Sequence, residues 1–494
     1  ALEEPFERHV CSRLPSWLAF TCRLYPYLRG PGEWPPEWRW WLKYPVSQGG
    51  YRFDVVAWRF IILLVVVGLL AAWWFWTRRR SRLNLLHLTV LSGLGLLLLL
   101  SIQFLSKNGI PLMTRMISPY YEPTYFLPAA EIDNVRDFLV SYPDCLRARN
   151  CPTHHMNSHP PGNVLFMWTF FRVAAALPAS VVHWSGPLLR SHTVAEWAVS
   201  LPDTTLIAAA FAGLAIPAAA CLTVIPLYSL GCSTVGHLRA RKAIILFLLV
   251  PALPMFAPRV DLVYTLIGVT GLSMAVTGFS RRSYPHLAGA GAILSLGAFM
   301  TFAILPLVIV SLLVGIGIAW GSNEHSRRAA LIRLLAQGFV ALSGAALVWV
   351  LLSTNPLLTY RYVSSNYWDI QAARNYMVWL FYGPYDLLFF AGVPLTLLLA
   401  RAVTRVLRRL WRSHSLTKGE IWLVSFVLTT GILVLSGRLR GEVARTLLYF
   451  YPFLALGSQV ESDHTSDRGF AWIAAAMLFQ AVVFYYTLRV YHGG

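Results

Sequence analysis

Long uninterrupted runs of apolar residues constrain this chain more than any other feature. Between positions 84 and 105 there is no lysine, arginine, aspartate or glutamate. A helix needs about 20 apolar residues to cross roughly 30 Å of hydrocarbon. The 494 residues are 56% hydrophobic and 13% charged, whereas a soluble domain has about 25% charged residues. We therefore exclude a soluble enzyme and expect a protein that crosses a membrane many times.

The apolar runs predict an all-α polytopic fold with about twelve transmembrane helices. The predicted spans are residues 55–76, 84–105, 203–230, 243–257, 262–279, 286–301, 302–320, 330–352, 380–400, 421–435, 446–460 and 470–488. The run 286–320 is divided because about 35 residues would overshoot one crossing. Segment 163–177 is too short for a span, which favours an interfacial or re-entrant helix. The chain then consists of a tail, 1–54, with an interfacial aromatic segment at 34–41, and one membrane domain, 55–494.

The positive charge of the chain predicts its orientation. The formal net charge is +19, which in a soluble protein would indicate nucleic acid as a partner. Here the basic clusters lie between apolar runs, where they hold loops in the cytoplasm, so no nucleic-acid partner is expected. Alternating the spans places the clusters at 78–82, 239–242, 281–282, 327–328 and 401–418 inside and the connections 106–162, 258–261, 353–379 and 437–445 outside. We expect a multi-pass protein of a prokaryotic plasma (inner) membrane. The arginines of the tail oppose this assignment, because alternation places the tail outside.

Two cysteines of the large outer connection, Cys145 and Cys151, are close in sequence. Disulfides persist outside the cytoplasm, where a pair of this kind can close a small loop. The sequence therefore predicts a Cys145–Cys151 disulfide, with two free thiols as the alternative.

The connection 106–162 gathers ionisable side chains in a chain that otherwise has few. Its acids are Glu122, Glu131, Asp133, Asp137 and Asp144, and its histidines are His154, His155 and His159. A polar, solvated loop would also contain such residues. The following Pro160, Pro161 and Gly162 fix the backbone where the chain re-enters the apolar phase. We expect them to hold His159 at the rim of a cavity at the membrane edge.

Two short motifs of this connection resemble the GT-C superfamily of polytopic glycosyltransferases, especially the branch with protein O-mannosyltransferases and the lipid A aminoarabinose transferase. Those families have an acidic Asp-Glu-x-x-Tyr motif soon after a membrane helix, and a Pro-Pro segment that opens the next apolar stretch. Residues 121–125 are similar to the first motif, with Tyr121 in the position of its aspartate, and residues 159–165 are similar to the second. The departure at Tyr121 leaves open whether Glu122 or Asp133 is the catalytic acid.

The resemblance implies a sugar donor linked to a polyprenyl phosphate. The sugar would pass, with inversion, to a hydroxyl of a glycan, lipid or protein on the outer face, and membrane lipids would surround the enzyme. A carboxylate can remove the acceptor proton, which is the role expected of Glu122 or Asp133. Guanidinium groups can take up the charge of the leaving phosphate, and Arg438, Arg440 and Arg445, with Glu442 orienting one of them, form the expected phosphate site. The expected substrate-binding residues are Tyr125, Asp137, His159 and Asp261.

Several alternatives stay open. The arginines of 437–445 could pair with anionic phospholipids, and Asp261 could pair with Arg259. A divalent metal on His154, His155 and His159 is a possible cofactor, although Pro160 opposes a helix there. The main rival function is a transporter or lipid flippase, which predicts charged residues at mid-membrane and broken helices in matched halves. An O-antigen-ligase-like transferase would instead have its key arginines and histidine in a late outer loop, and 353–379 has no histidine.

Overall fold

The computed structural model of the chain is almost entirely α-helical. It describes residues 40–42, 53–105, 112–117, 123–191, 200–320, 327–352, 354–412, 416–460 and 466–490. The first half contains α1 (Phe53–Thr77), α2 (Leu85–Phe104), α3 (Leu112–Ile117), α4 (Pro123–Ala130), α5 (Val135–Ala148), α6 (Gly162–Ala175), α7 (Ala179–Ser191), α8 (Asp203–Leu222), α9 (Val224–Thr234), α10 (His237–Leu248) and α11 (Ala252–Phe256). The all-α prediction is therefore confirmed for this half of the described chain.

The second half continues in the same way. It contains α12 (Val263–Arg281), α13 (Tyr284–Met300), α14 (Pro306–Trp320), α15 (Arg327–Leu351), α16 (Pro356–Ala372), α17 (Tyr376–Ala391), α18 (Val393–Arg412), α19 (Lys418–Leu435), α20 (Val443–Thr446), α21 (Tyr451–Gly457) and α22 (Asp467–Thr487). Short 3-10 helices lie at Met156–Ser158, Val260–Leu262, Phe302–Ile304 and Leu448–Phe450. The only extended pairing among the described residues joins two three-residue strands, β1 (Trp40–Leu42) and β2 (Leu488–Val490), in antiparallel register.

Among the described residues, fewer helices are long and apolar enough to cross a membrane than the twelve that the sequence predicts for the chain. Within the described residues, eight helices are long and apolar enough to span, or ten if each of two bent helix pairs is one span. The bent pairs are α6 with α7, at 116°, and α17 with α18, at 114°. The chain is therefore a helical membrane protein, but twelve straight spans are not confirmed. The break after α6 agrees with the short interfacial or re-entrant helix expected at 163–177.

Three predicted spans are interrupted for local reasons. Segment 243–257 contains the end of α10 and the short α11, because prolines at 251 and 254 interrupt the helix. Segment 380–400 bends at Gly392, whose φ of +101° is readily adopted only by glycine. Segment 446–460 consists of short helical pieces that are buried within the protein. Burial accounts for the apolar composition of this last segment, so its hydropathy does not indicate a crossing.

Small residues bring α13 and α15 close together. A methyl group added at Gly291 would lie 1.8 Å from the backbone oxygen of Ala341, and one added at Gly344 would lie 2.1 Å from that of Ala288. The hydroxyl of Ser295 also donates to the backbone oxygen of Ala345, at 3.1 Å. Close contact at small residues is the usual way in which helices associate in lipid.

The two ends of α2 contact different parts of the chain. At its start, the indole of Trp73 donates to the backbone oxygen of His87, near the arginines that follow α1. At its end, the amide of Gln103 donates to the backbone oxygens of Pro254 and Ala257, both at 3.2 Å. A helix of 20 residues is about 30 Å long. The segment after α11 is therefore about one membrane thickness from the basic end of α1.

Candidate active site

The histidine segment of the large connection is held in place by several contacts. Cys145 and Cys151 are joined by a disulfide, as the sequence predicts. The side-chain oxygen of Asn157 accepts the backbone N–H of Cys151 at 3.2 Å. The hydroxyl of Tyr142 donates to the backbone oxygens of Met156, at 3.0 Å, and His159, at 2.9 Å. Residues 151–159 are thus fastened to α5 rather than left as a solvated loop.

Helix α16, from the second predicted outer connection, packs on this segment. The amide of Asn366 donates to the backbone oxygens of Leu146 and Asn157, at 3.0 and 2.9 Å. An exposed ion pair of 2.5 Å joins Arg149 to Asp369, but a pair so open to solvent adds little stability. The buried amide contacts of Asn366 therefore hold the two connections together and form one wall of the site.

His155 and His159 form an aromatic group with Tyr125. The Nδ1 of His159 lies 3.0 Å from the backbone oxygen of His155, so this nitrogen carries the proton and donates. The two imidazole centroids are 6.3 Å apart, and the ring of Tyr125 lies 5.7 Å from that of His159. His154 is exposed. No group of three histidine, cysteine or acidic side chains among the described residues can hold a metal ion, so these histidines are not gathered into a metal site.

The surroundings keep both inner histidines neutral. Burial, together with the positive charge of the nearby Arg445, lowers the pKa of His155 to about 3. Burial likewise lowers the pKa of His159 to about 4, with Arg445 contributing again. A neutral imidazole has one N–H donor and one nitrogen acceptor. These side chains can therefore donate hydrogen bonds to hydroxyl groups and accept hydrogen bonds from them at neutral pH, while remaining unprotonated.

Arg445 links two acids next to these histidines. Its Nη2 lies 2.7 Å from Oε2 of Glu442, and its Nε lies 3.9 Å from Oδ2 of Asp261. The three side chains are only 13% to 19% exposed. Their mutual attraction is therefore less screened by water than it would be on the surface. Arg259, which is buried, also acts on His155 and Asp261.

The turn that carries Glu442 has a strained backbone conformation and is held by hydrogen bonds to neighbouring side chains. Glu442 has φ +46° and ψ +37°, a left-handed conformation that is costly for residues other than glycine and is concentrated at functional sites. A carboxylate oxygen of Asp386 accepts the backbone N–H of Ala444 at 2.8 Å, and the hydroxyl of Tyr451 donates to the backbone oxygen of Ala444 at 3.2 Å. These contacts hold the start of α20, and hence Glu442 and Arg445, in place.

The segment that carries Arg259 and Asp261 is also anchored. The guanidinium of Arg115 donates to the backbone oxygen of Ala257 at 2.6 Å, beside the hydrogen bond from Gln103. The backbone N–H of Arg259 donates to the oxygen of Phe256 at 2.7 Å. The two acids and two arginines are thus presented by rigid backbone. We call His155, His159, Asp261, Arg259, Glu442 and Arg445 the polar cluster.

The sequence reasoning missed two members of this site. The sequence names Arg259 only as a partner of Asp261, and it leaves open whether Tyr367, in 353–379, binds an acceptor sugar or belongs to an interfacial surface. Tyr367 lies beside the cluster: burial raises its pKa, while Arg374 and Arg445 act in the opposite direction. No sequence motif marks either residue, because the contacts join segments that are far apart in the chain.

Two predicted phosphate ligands lie beside the cluster in other roles. The guanidinium of Arg440 donates to the backbone oxygens of Gln371, at 3.1 Å, and Arg374, at 2.7 Å. Arg438 is exposed and donates to the hydroxyl of Ser364 at 2.9 Å. Both lie over the ring of Trp368, at 5.4 and 5.5 Å. Arg440 thus fastens the turn to the end of α16, and the phosphate contact expected of Arg438 and Arg440 stays a prediction.

The predicted acids of the first connection are not brought to the cluster by any described contact. Asp133 and Asp137 are exposed, near the start of α5, and neither forms an ion pair with a described residue. Glu122 lies outside the described residues, so its predicted role as a base stays a prediction. Of the predicted site residues, Tyr125, His159, Asp261, Glu442 and Arg445 come together.

Comparison with known proteins gives no further assignment. No family model, curated protein or solved structure matches the chain.

Proposed function

We propose that the chain is a membrane glycosyltransferase that moves a sugar from a polyprenyl phosphate to a hydroxyl acceptor on the extracytoplasmic face. The main support is that Arg445 lies beside Glu442 and Asp261 and acts on the buried His155 and His159, while Tyr125 packs against His159. The residues come from connections predicted to lie on the same side of the membrane. Side chains of this composition can bind a charged leaving group and a polar acceptor together.

In this proposal, Arg445 and Arg259 bind the phosphate of the donor. Guanidinium groups meet phosphate oxygens through parallel hydrogen bonds, which are strong where water is scarce. Glu442 orients the guanidinium of Arg445 through their 2.7 Å contact. As the bond between sugar and phosphate breaks, the two arginines stabilise the charge that develops on the phosphate.

The acceptor hydroxyl needs a proton acceptor close to the anomeric carbon. Asp261 is our choice among the described acids, because its 3.9 Å separation from Arg445 is looser than that of Glu442. Its carboxylate can take the hydroxyl proton as the oxygen attacks the anomeric carbon, and direct displacement inverts that carbon. Asp261 thereby replaces Asp133 as the proposed base, while Glu122 remains a second choice. His155, His159 and Tyr125 would bind the sugar or the acceptor.

A donor panel tests the activity. Purified chain in lipid nanodiscs is incubated with polyprenyl phosphates that carry different radiolabelled sugars, together with candidate glycan, lipid and peptide acceptors. We expect one donor to lose label to an acceptor while the polyprenyl phosphate is released. If folded protein transfers label from no donor, and instead moves an intact lipid or solute across reconstituted vesicles, the transporter alternative is correct.

A further inference from the structure

A large apolar cavity lies at the basic end of the membrane domain, remote from the polar cluster. It has a volume of about 440 Å³ and lies between α1, α2, α10 and α22. Its walls are almost entirely apolar and include Trp73, Trp74, Leu91, Leu248 and Phe470. Sites for small molecules have volumes of about 300–1,000 Å³. The cavity is thus large enough to hold part of a lipid.

The depth of the cavity matches one leaflet of a bilayer. Along α22 the lining extends from Arg468 to Leu478, and along α1 it extends from Arg78 back to Val67. At 1.5 Å per residue, each distance is about 15 Å. This is half of the roughly 30 Å of hydrocarbon in a bilayer. An acyl chain that entered at the basic end would reach the membrane midplane.

The helices beside the cavity face the hydrocarbon. On α1, Leu64 and Phe75 are 66% and 58% exposed, and on α22, Trp472 and Phe479 are 72% and 71% exposed. Large apolar side chains with this exposure, on helices of spanning length, are expected to contact lipid tails. A molecule that entered the cavity between these helices would therefore come from the bilayer rather than from the aqueous phase.

Charged groups mark one end of the cavity. Arg78, Arg468 and Asp467 line it, and all three lie at the end where α1 stops and α22 begins. The guanidinium of Arg78 lies 4.8 Å from the ring of Phe75, and neither arginine forms an ion pair with an acid in the part of the chain that the structure describes. The net positive charge of this rim would attract an anionic headgroup at the membrane surface.

The backbone beside this rim is fixed. The guanidinium of Arg241, on α10, donates to the backbone oxygens of Thr77, at 2.7 Å, and Arg80, at 2.5 Å. Arg241 therefore satisfies carbonyl groups left at the end of α1 and holds that end against α10. A preformed rim lowers the ordering cost of binding a headgroup.

We propose that this cavity binds one acyl chain of an anionic glycerophospholipid from the leaflet on the basic side, with its phosphate between Arg78 and Arg468. The sequence predicts this leaflet to be the cytoplasmic one. The site is separate from the proposed donor site, about one membrane thickness away, and does not depend on the glycosyltransferase activity.

Native mass spectrometry of the full chain in detergent tests the proposal. Delipidated protein is titrated with dioleoyl phosphatidylglycerol and, separately, with dioleoyl phosphatidylcholine, which has the same tails. We expect the first bound lipid to have an affinity about tenfold higher for phosphatidylglycerol, from two arginine contacts at the headgroup. The double variant Arg78→Gln/Arg468→Gln should lose this preference, and Ala475→Phe, in the cavity wall, should weaken binding of both lipids.

Two matched variants serve as controls. Ala476→Phe adds the same ring to the next residue of α22, and Arg412→Gln removes an exposed arginine of α18; neither residue lines the cavity. Both should bind like the wild type. Equal affinity of the wild type for the two lipids, or a preference that survives in the Arg78→Gln/Arg468→Gln variant, would overturn the proposal.

Discussion

The Nε of Arg445 lies 3.9 Å from the carboxylate of Asp261, although the two residues belong to segments that are far apart in the chain. The same guanidinium contacts Glu442 at 2.7 Å. Two acids thus hold one largely buried arginine near two neutral histidines. This relationship underlies the proposed phosphate site, and it separates Arg445 from the other two arginines of its loop.

Replacing Arg445 by lysine should weaken donor binding about tenfold or more. Lysine keeps the charge but cannot form two parallel hydrogen bonds with a phosphate. Binding of a polyprenyl phosphate to Arg445→Lys, measured in detergent, checks this expectation. Arg438→Lys is the matched control, because Arg438 is exposed on Trp368. Similar affinities for the two variants would contradict the assignment of the phosphate to Arg445.

The stability of the protein should fall as the pH falls below about 6.5. The pKa of His155 is lowered to about 3 and that of His159 to about 4, from an ordinary value of 6.5. Between these values the unfolded chain binds protons that the folded chain does not, so acid favours unfolding. The stabilising effect is complete above pH 6.5 and is lost as the pH falls towards 4 and then 3.

Apparent melting temperatures at pH 8, 6.5 and 5 measure this dependence. In His155→Asn the melting temperature should fall less between pH 6.5 and 5 than it does in the wild type. The substitution removes one of the groups whose pKa differs between the folded and the unfolded chain. His183→Asn, on α7, is the control and should melt with the wild-type dependence. A wild-type melting temperature that does not change between pH 8 and 5 would show that these histidines are not held neutral.

Removing the disulfide should loosen the histidine segment. The bond joins residues six positions apart, and the chain-entropy model gives about 2 kcal/mol for a loop of this length. The double variant Cys145→Ser/Cys151→Ser should therefore unfold at lower denaturant concentration than Cys221→Ser/Cys232→Ser, which alters two free thiols. The reverse order of stability would show that the disulfide does not stabilise the folded chain.

Gly162→Ala should destabilise the junction between α6 and α13. A methyl group at Gly162 would lie 2.4 Å from the backbone oxygen of Phe299, and overpacking of this kind costs about 1–3 kcal/mol. Gly68→Ala is the control, because no atom lies within 4 Å of an added methyl group there. Thermal unfolding of both variants in detergent should show a loss only for Gly162→Ala, and an unchanged melting temperature would contradict this packing.

The sequence predicted the helical membrane fold and several members of the site. Apolar runs such as α2 are long enough to identify a span directly. The signal failed at 446–460, where apolar residues are buried in protein rather than in lipid. It also failed at 380–400, where the positive φ of Gly392 bends the chain. Composition gives the hydropathy of a segment but not the medium that surrounds it.

The site was predictable where a residue had an unusual position along the chain. The sequence predicted a role for Arg445 because it is an arginine in a predicted outer loop. It predicted a role for His159 because two prolines follow this residue. Arg440 lies in the same predicted outer loop as Arg445 but binds backbone oxygens at the end of α16. The packing of α16 determines that Arg440 binds the backbone whereas Arg445 joins the polar cluster. The sequence of the loop itself contains no sign of this packing.

Transfer rates of two acid variants test the central claim most directly. Asp261→Asn and Asp133→Asn make the same change in a member of the polar cluster and in an exposed acid of the first connection. We first check that each purified variant has the same melting temperature as the wild type. Each variant is then assayed with saturating labelled polyprenyl-phosphate sugar and acceptor. Loss of a general base typically costs about 10²–10⁴ in rate. We predict that fall for Asp261→Asn and a rate close to wild type for Asp133→Asn, whereas undiminished transfer by Asp261→Asn would contradict the proposed site.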